Sequence, residues 1–167
     1  MGLFSKDIKT IDDLFTHTLR DVYDAENQIL KALPGMAEKA SDLRLKDVFE
    51  QHLGETEDRL RRLENVFQIL GVTPKGVKCP AIDGILEEAD DVSGETADEA
   101  VLDAALIASA QAVAHYAIAR YGALFAWAKA LGREECAQLL SETLAEEKNA
   151  DRNLSSLAEG RINRKAA

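Results

Sequence analysis

The chain reads as all-α: a four-helix bundle of two helical hairpins joined by a long crossover that contains a short fifth helix. Three observations carry this. Ala, Leu, Glu, Lys and Arg are abundant in the 167 residues, with only 3 Pro and 5% aromatics, a composition that favours helices. Apolar residues recur at helical spacing through four long segments, as in Phe15, Leu19, Val22, Ile29 and Leu33. Chain breakers gather in one internal stretch, residues 71–97.

The first helix is expected over about 8–39. Thr10 with Asp12 and Asp13 suits its start by capping and dipole logic, and Pro34-Gly35 should kink or stop it near its end. A short turn at Ser41-Asp42 leads to a second helix over 43–70, with Gly71 as its C-terminal cap. Gly71, Pro74, Gly76 and Cys79-Pro80 mark the connection, which holds a short helix at about 81–91. A connection this long fits a crossover from one end of a bundle to the other. A third helix is expected over 97–131, begun by a Thr96/Glu99 capping box and ended at Gly132. It is nearly apolar all round from Ala104 to Ala119, so it should be the most buried. The fourth runs over 133–159 and stops at Gly160. Residues 1–160 then form one domain, and the basic tail 161–167 is expected to fray. Two hairpins with one long crossover is the ferritin-like connectivity.

Bulk properties narrow the function. A net charge of −10 argues against nucleic-acid or anionic-membrane surfaces. The local basic strip Arg59, Arg61 and Arg62 reads as a solvated helix face. Cys79 and Cys136 make neither a disulfide framework nor a zinc motif, which suits a reducing cytoplasm, and both read as small buried hydrophobes. Met1 to Lys6 lacks the apolar run of a signal peptide. No stretch reaches the roughly 18 uncharged apolar residues of a membrane span; His115 interrupts the nearest, 104–119, and Arg120 ends it.

Polar groups interrupt three of the apolar stripes. Glu26 falls among Val22, Ile29 and Leu33. His52 and Glu55 lie at or beside the stripe from Leu45 and Phe49 to Leu63. Glu147 and Asp151 fall between Leu144 and Leu154. A charge facing a core is costly unless it is paired or binds a metal, and inward carboxylates from several helices are how bundles build di-metal sites. His52 with Glu55 (i,i+3) and Glu147 with Asp151 (i,i+4) can each face one point. Such oxygen and imidazole donors suit iron, manganese or zinc. The competing reading is a buried hydrogen-bonded cluster of Glu26, His52 and Glu55 with Arg59, Tyr23 or Tyr121. His115, alone in an alanine-rich helix, reads more simply as a packed histidine than as a ligand. Phe125 and Trp127 read as packing or subunit contact.

Several motifs together carry a resemblance. Tyr23-Asp24-Ala25-Glu26, His52-Leu53-Gly54-Glu55-Thr56, Val77-Lys78-Cys79, Gly84 to Ala89, Asp103 to Ile107, His115-Tyr116 to Tyr121-Gly122 and Glu146-Glu147-Lys148 occur in an order and spacing that resembles the bacterial YciE/YciF family of ferritin-like proteins, over about 8–158. The resemblance implies a ferritin-like bundle, a cytoplasmic setting, a stress association and a homodimer. It carries metal-ligand roles onto Glu26, His52, Glu55, Glu146 and Glu147; helix spacing adds Asp151 as a weaker neighbour of Glu147, and Tyr23, His115 and Tyr121 are candidates to surround the site. The helix-face argument prefers Glu147 to Glu146 as the inward residue. The family's third-helix motif Glu-His-Tyr-Glu reads Ala114-His115-Tyr116-Ala117 here, so two ligands are lost. What remains suits iron or manganese at single or partial occupancy, or no metal. The leading expectation is therefore a degenerate site and a non-enzyme. The alternatives are a metal-free structural or partner-binding dimer, an active di-iron or di-manganese protein handling oxygen or peroxide, and a sensor using the space left by Ala114 and Ala117.

Overall fold

A computed structural model describes residues 7–167; the signal-peptide reading of residues 1–6 lies outside them. Helices α1 (Ile11–Lys39), α2 (Leu43–Ile69), α3 (Pro80–Glu95), α4 (Glu99–Ala130) and α5 (Glu134–Leu157) are followed by a π-helical turn, Ala158–Ile162, and a short α6, Asn163–Ala166. No strand occurs among the described residues.

Local chemistry sets the helix ends. Thr10 and Asp13 cap α1 reciprocally: the Thr10 hydroxyl accepts from Asp13 N (3.0 Å) and the Asp13 carboxylate accepts from Thr10 N (3.1 Å). Pro34 neither stops α1 nor costs it a buried donor, because it lies on the exposed side and the helix continues to Lys39. Gly71 and Gly132 take φ of 67° and 68° just beyond α2 and α4, the left-handed conformation that favours glycine after a helix. The start of α4 differs from the expected Thr96/Glu99 box. Asp98 is its cap, accepting from the N–H groups of Ala100 (2.9 Å) and Val101 (3.0 Å), while Thr96 closes α3 by donating to the Val92 carbonyl (2.8 Å). A carboxylate two residues nearer the helix outcompetes the threonine for these donors.

Around the bundle α1 packs on α2, α2 on α5, α5 on α4 and α4 on α1. Asp103, early in α4, meets Ser41 and Asp42 at the α1–α2 turn, whereas Arg133, just beyond α4, meets Asp12 at the start of α1 (2.7 Å). Helix α4 is therefore antiparallel to α1, and the crossover must return the chain along the length of the bundle. It does so as α3, packed on α4 and α1. Val77 N donates to the Arg20 carbonyl (3.3 Å) and Cys79 N to the Asp24 carboxylate (3.0 Å), fastening the crossover to α1.

Two elements depart from expectation. Helix α4 is not buried all round: it packs against α1, α3 and α5, yet Val101, Ala108, Ala112, Ala119 and Ala126 face outward. Every helix of a four-helix ring keeps one outward side, and on α4 that side is alanine-rich. The C-terminal segment is also not frayed. The π-helical turn carries the chain through Gly160 and turns Ile162 inward to 1% exposure, while Arg161 and Lys165 reach the buried Asp42 carboxylate at 3.0 and 3.2 Å.

Asp103 anchors this end. Its carboxylate, 2% exposed, accepts from Ser41 N (2.7 Å), Ser41 Oγ (2.6 Å) and Asp42 N (3.0 Å). Asp103→Ala should strand the two backbone donors and cost about 2–4 kcal/mol, read as a lower urea midpoint at unchanged slope. A change below about 0.5 kcal/mol would refute the anchoring role.

Candidate functional site: a buried arginine among carboxylates

The interior contains two apolar clusters. One gathers Ile29, Leu33, Leu45, Phe49, Leu106 and Leu154, the other Phe15, Leu19, Leu63, Phe67, Leu124 and Leu140. Between them in sequence on α1, α2 and α5 come the buried polar side chains Glu26, His52, Thr56, Arg59, Thr143 and Glu147. Each arises from a helical stripe: His52, Thr56, Arg59, Leu63 and Val66 follow one another at three- and four-residue steps along the inner face of α2.

Arg59 is the centre, at 0% exposure. Its Nη1 donates to Glu147 Oε1 and lies 3.1 Å from His52 Nε2; Nη2 donates to Glu55 Oε2 (3.2 Å) and Nε to Glu146 Oε2 (3.3 Å). Guanidinium has only donors, so His52 Nε2 accepts, which places the proton of a neutral His52 on Nδ1. Glu26 approaches from α1 and accepts from the Tyr121 hydroxyl (2.8 Å). One oxygen each of Glu26 and Glu147 is buried without a hydrogen-bond partner.

The electrostatics follow from this packing. Burial pushes the Glu26 carboxyl up to about 7; Arg59 and the Tyr121 hydroxyl pull it down, and the Glu147 charge adds to the rise. Burial and the facing Glu26 also push the Tyr121 phenol well above its ordinary range. Burial works against the Arg59 charge, but Glu147 and Glu26 outweigh it and hold the guanidinium protonated. Glu146 is likewise opposed by burial, and Arg62 more than compensates, keeping the carboxyl below its usual range.

The candidates from the sequence fall into two groups. Glu26, His52, Glu55, Glu146 and Glu147 converge on the Arg59–Tyr121 cluster. Glu147 is the inward member of its pair, at 1% exposure, and Glu146 lies at the edge, bound by Arg62. Asp151 and His115 lie elsewhere: they pair with each other at 3.0 Å, His115 being 67% exposed, and Asp151 also accepts from Gln111 (3.1 Å). Asp151 thus does not share a point with Glu147, nor does His115 surround the site, because the next turn of α5 meets α4 near the surface. Tyr23 turns outward to Glu64 (2.9 Å), its ring edge-on to Phe67.

Arg59 does not lie on a solvated face; the competing reading, a buried hydrogen-bonded cluster that includes Arg59 and Tyr121, is the arrangement found. Arg61 is exposed, but Arg59 lies on the inward stripe and Arg62 is partly buried against Thr143 and Glu146. The signal was present, since 59 is seven residues from His52 and four from Glu55. Ala114 and Ala117 are buried at 0% and 3%, and none of the cavities described is lined by either.

A di-metal centre does not fit these residues. Among the described residues no three His, Cys, Asp or Glu side chains are gathered as a metal site. Oxygens of Glu55, Glu146 and Glu147 are directed at the guanidinium, and methyl groups stand at 114 and 117. The Arg59 guanidinium instead faces Glu147 as its fully buried partner, and burial shifts Glu26 toward its protonated form. Removing Arg59 would leave buried carboxylates unpaired, so Arg59→Ala should cost about 3–5 kcal/mol by denaturant titration; a loss under about 1 kcal/mol would contradict this.

Glu26 gives the pH dependence its sign. Its folded pKa, about 7, lies above its ordinary 4.5, so the native state binds the extra proton between those values. Stability should fall as pH rises through that window, by about 3 kcal/mol in full. Glu26→Gln should flatten the profile, raising the melting temperature at pH 8 and changing it little at pH 5. A variant with the same pH slope as the parent would exclude Glu26 as the source.

Comparison with known proteins agrees with this fold. A family model described as a domain of unknown function, DUF892, matches residues 10–167. Protein YciF of Escherichia coli K12 is 44% identical over 160 residues, spanning 95% of this chain and 96% of its own. Among solved structures, YcfI of Rhodopseudomonas palustris superposes with TM-score 0.90 at 52% identity, covering 92% of this chain and 98% of that one. The E. coli stress protein YciF superposes with TM-score 0.89 at 43%, covering 93% and 99%. A ferritin-like, diiron-carboxylate protein of Bacillus anthracis, at 18% identity and TM-score 0.69 over 90% and 99%, shares the fold alone. The chain therefore belongs to the DUF892 family, as a YciF-like protein with a ferritin-like fold.

Proposed function

We propose that this protein is a stress-associated, cytoplasmic bundle that works as a metal-free structural or partner-binding dimer, with a degenerate ferritin-like site. The buried Arg59 guanidinium is the observation that carries this reading. It supplies positive charge to Glu147 and Glu55, two of the expected metal ligands. A cation entering there would have to displace a fully buried arginine and meet its charge across a low-dielectric interior, where like charges repel strongly. The description of E. coli YciF as a stress protein supports the physiological setting. Iron or manganese at partial occupancy is the second reading, favoured by the partnerless oxygens of Glu26 and Glu147.

Metal content separates the two. Protein purified from cells supplied with iron and manganese should carry well below one metal per chain, and its melting temperature should not respond to chelator. The Arg59→Gln/Ala114→Glu/Ala117→Glu variant removes the competing cation and restores two carboxylates, so it should gain metal. Stoichiometric metal in the parent protein would sink the metal-free reading.

The dimer reading rests on α4. By length and composition this helix could cross a membrane, beyond what its uncharged run suggested, yet only 39% of its most apolar 18-residue stretch is buried within the bundle. A second copy laid on the outward alanines would cover that surface in a self-complementary, two-fold interface. Light scattering behind size exclusion should give twice the chain mass, and Ala112→Glu should halve it with unchanged helicity. A monomeric parent protein would rule the interface out.

A further inference from the structure

We propose that the cleft between the C-terminal part of α1, α3 and α4 binds a small amphiphilic monocarboxylate, such as a medium-chain alkyl carboxylate. This inference is independent of the metal question, because none of the residues that line the cleft belongs to the Arg59 cluster. It encloses about 240 Å³, below the size of drug-scale sites, which limits the ligand to a short tail.

The cleft has two chemically distinct parts. Its rim carries Lys31 and Lys39, eight residues apart on one face of α1 with Gly35 between them. A side-chain carbon at Gly35 would meet nothing within 4 Å, so the missing side chain leaves the mouth open. Its floor is apolar, made by Met36, Leu86 and Leu106. Met36 and Leu86 also line a second, neighbouring apolar pocket of about 10 Å³, whose wall includes Val113 and His52. Met36 is the adaptable member of that floor, so its rotamer can adjust to a tail lying on it.

The head-group site is partly preformed. Lys39 Nζ is held over the cleft by Ser93 Oγ (2.8 Å) and Asp90 Oδ1 (3.3 Å). Asp90 is 83% exposed, and an ion pair so open to water is weak, so an incoming carboxylate can take its place. Among the residues that line the cleft, two ammonium groups stand against one carboxylate. That matches a monoanion, and it stands out in a chain whose net charge is −10.

Sodium octanoate titrated into the full chain, followed by amide chemical shifts, tests the proposal. Saturable shifts are expected at Gly35, Leu86 and Ser93, with a dissociation constant on the order of 1 mM for so small a ligand. Gly35→Met should fill the mouth and weaken binding roughly tenfold while favouring the helix, and its folding is checked by circular dichroism. Asp90→Asn should tighten binding about threefold, the scale of an exposed ion pair. Absence of saturation, shifts confined to other surfaces, or unchanged affinity in folded Gly35→Met would overturn the site. Equal binding of octanol would overturn the role of the lysines.

Discussion

A guanidinium at 0% exposure, held by carboxylates from α2 and α5 and facing a histidine, constrains everything around it. A buried charge is tolerable only while its partners stay in place, so the helices contributing Arg59, Glu55, Glu146 and Glu147 cannot slide or rotate independently. Apolar packing alone would permit several registers of two such helices. Glu26 and Tyr121 extend the network to α1 and α4, so all four long helices take part. Such a network adds little net stability compared with an apolar core of the same volume, but it penalises misalignment heavily.

A second polar knot works at one end of the bundle. Asp103 of α4 accepts from Ser41 and Asp42, and Asp42 caps α2 and receives Arg161 and Lys165. One end of the molecule is thus organised by two neighbouring buried acids, each satisfied differently: Asp103 by backbone and hydroxyl donors, Asp42 largely by cations. The π-helical turn belongs to this arrangement, since it lets Ile162 enter the apolar cluster while Arg161 reaches Asp42.

The framework shared with ferritin-like proteins is therefore retained while the chemistry at its centre differs. Where Ala114 and Ala117 replace the glutamates that the family motif led one to expect, the interior has fewer negative charges to balance. Arg59 pairs with Glu147, Arg62 pairs with Glu146, and burial favours the protonated form of Glu26.

Sequence alone determined the helix count, the hairpin pairing and the crossover, because each follows from local rules: stripe periodicity, glycine caps and a breaker-rich connection too long for a turn. It also determined that Glu26, His52 and Glu147 face inward, since all three interrupt apolar stripes. Tertiary structure decided what those groups face. Whether an interior carboxylate meets a metal, a proton or an arginine depends on distances between helices far apart in the chain, and Arg59 fitted both a solvated face and a buried cluster until the packing of α5 on α2 was known. The same holds for Asp151, Asp103 and the C-terminal turn: each follows a regular local pattern, but its partner lies on another helix, and side-chain periodicity carries no information about which helix that is.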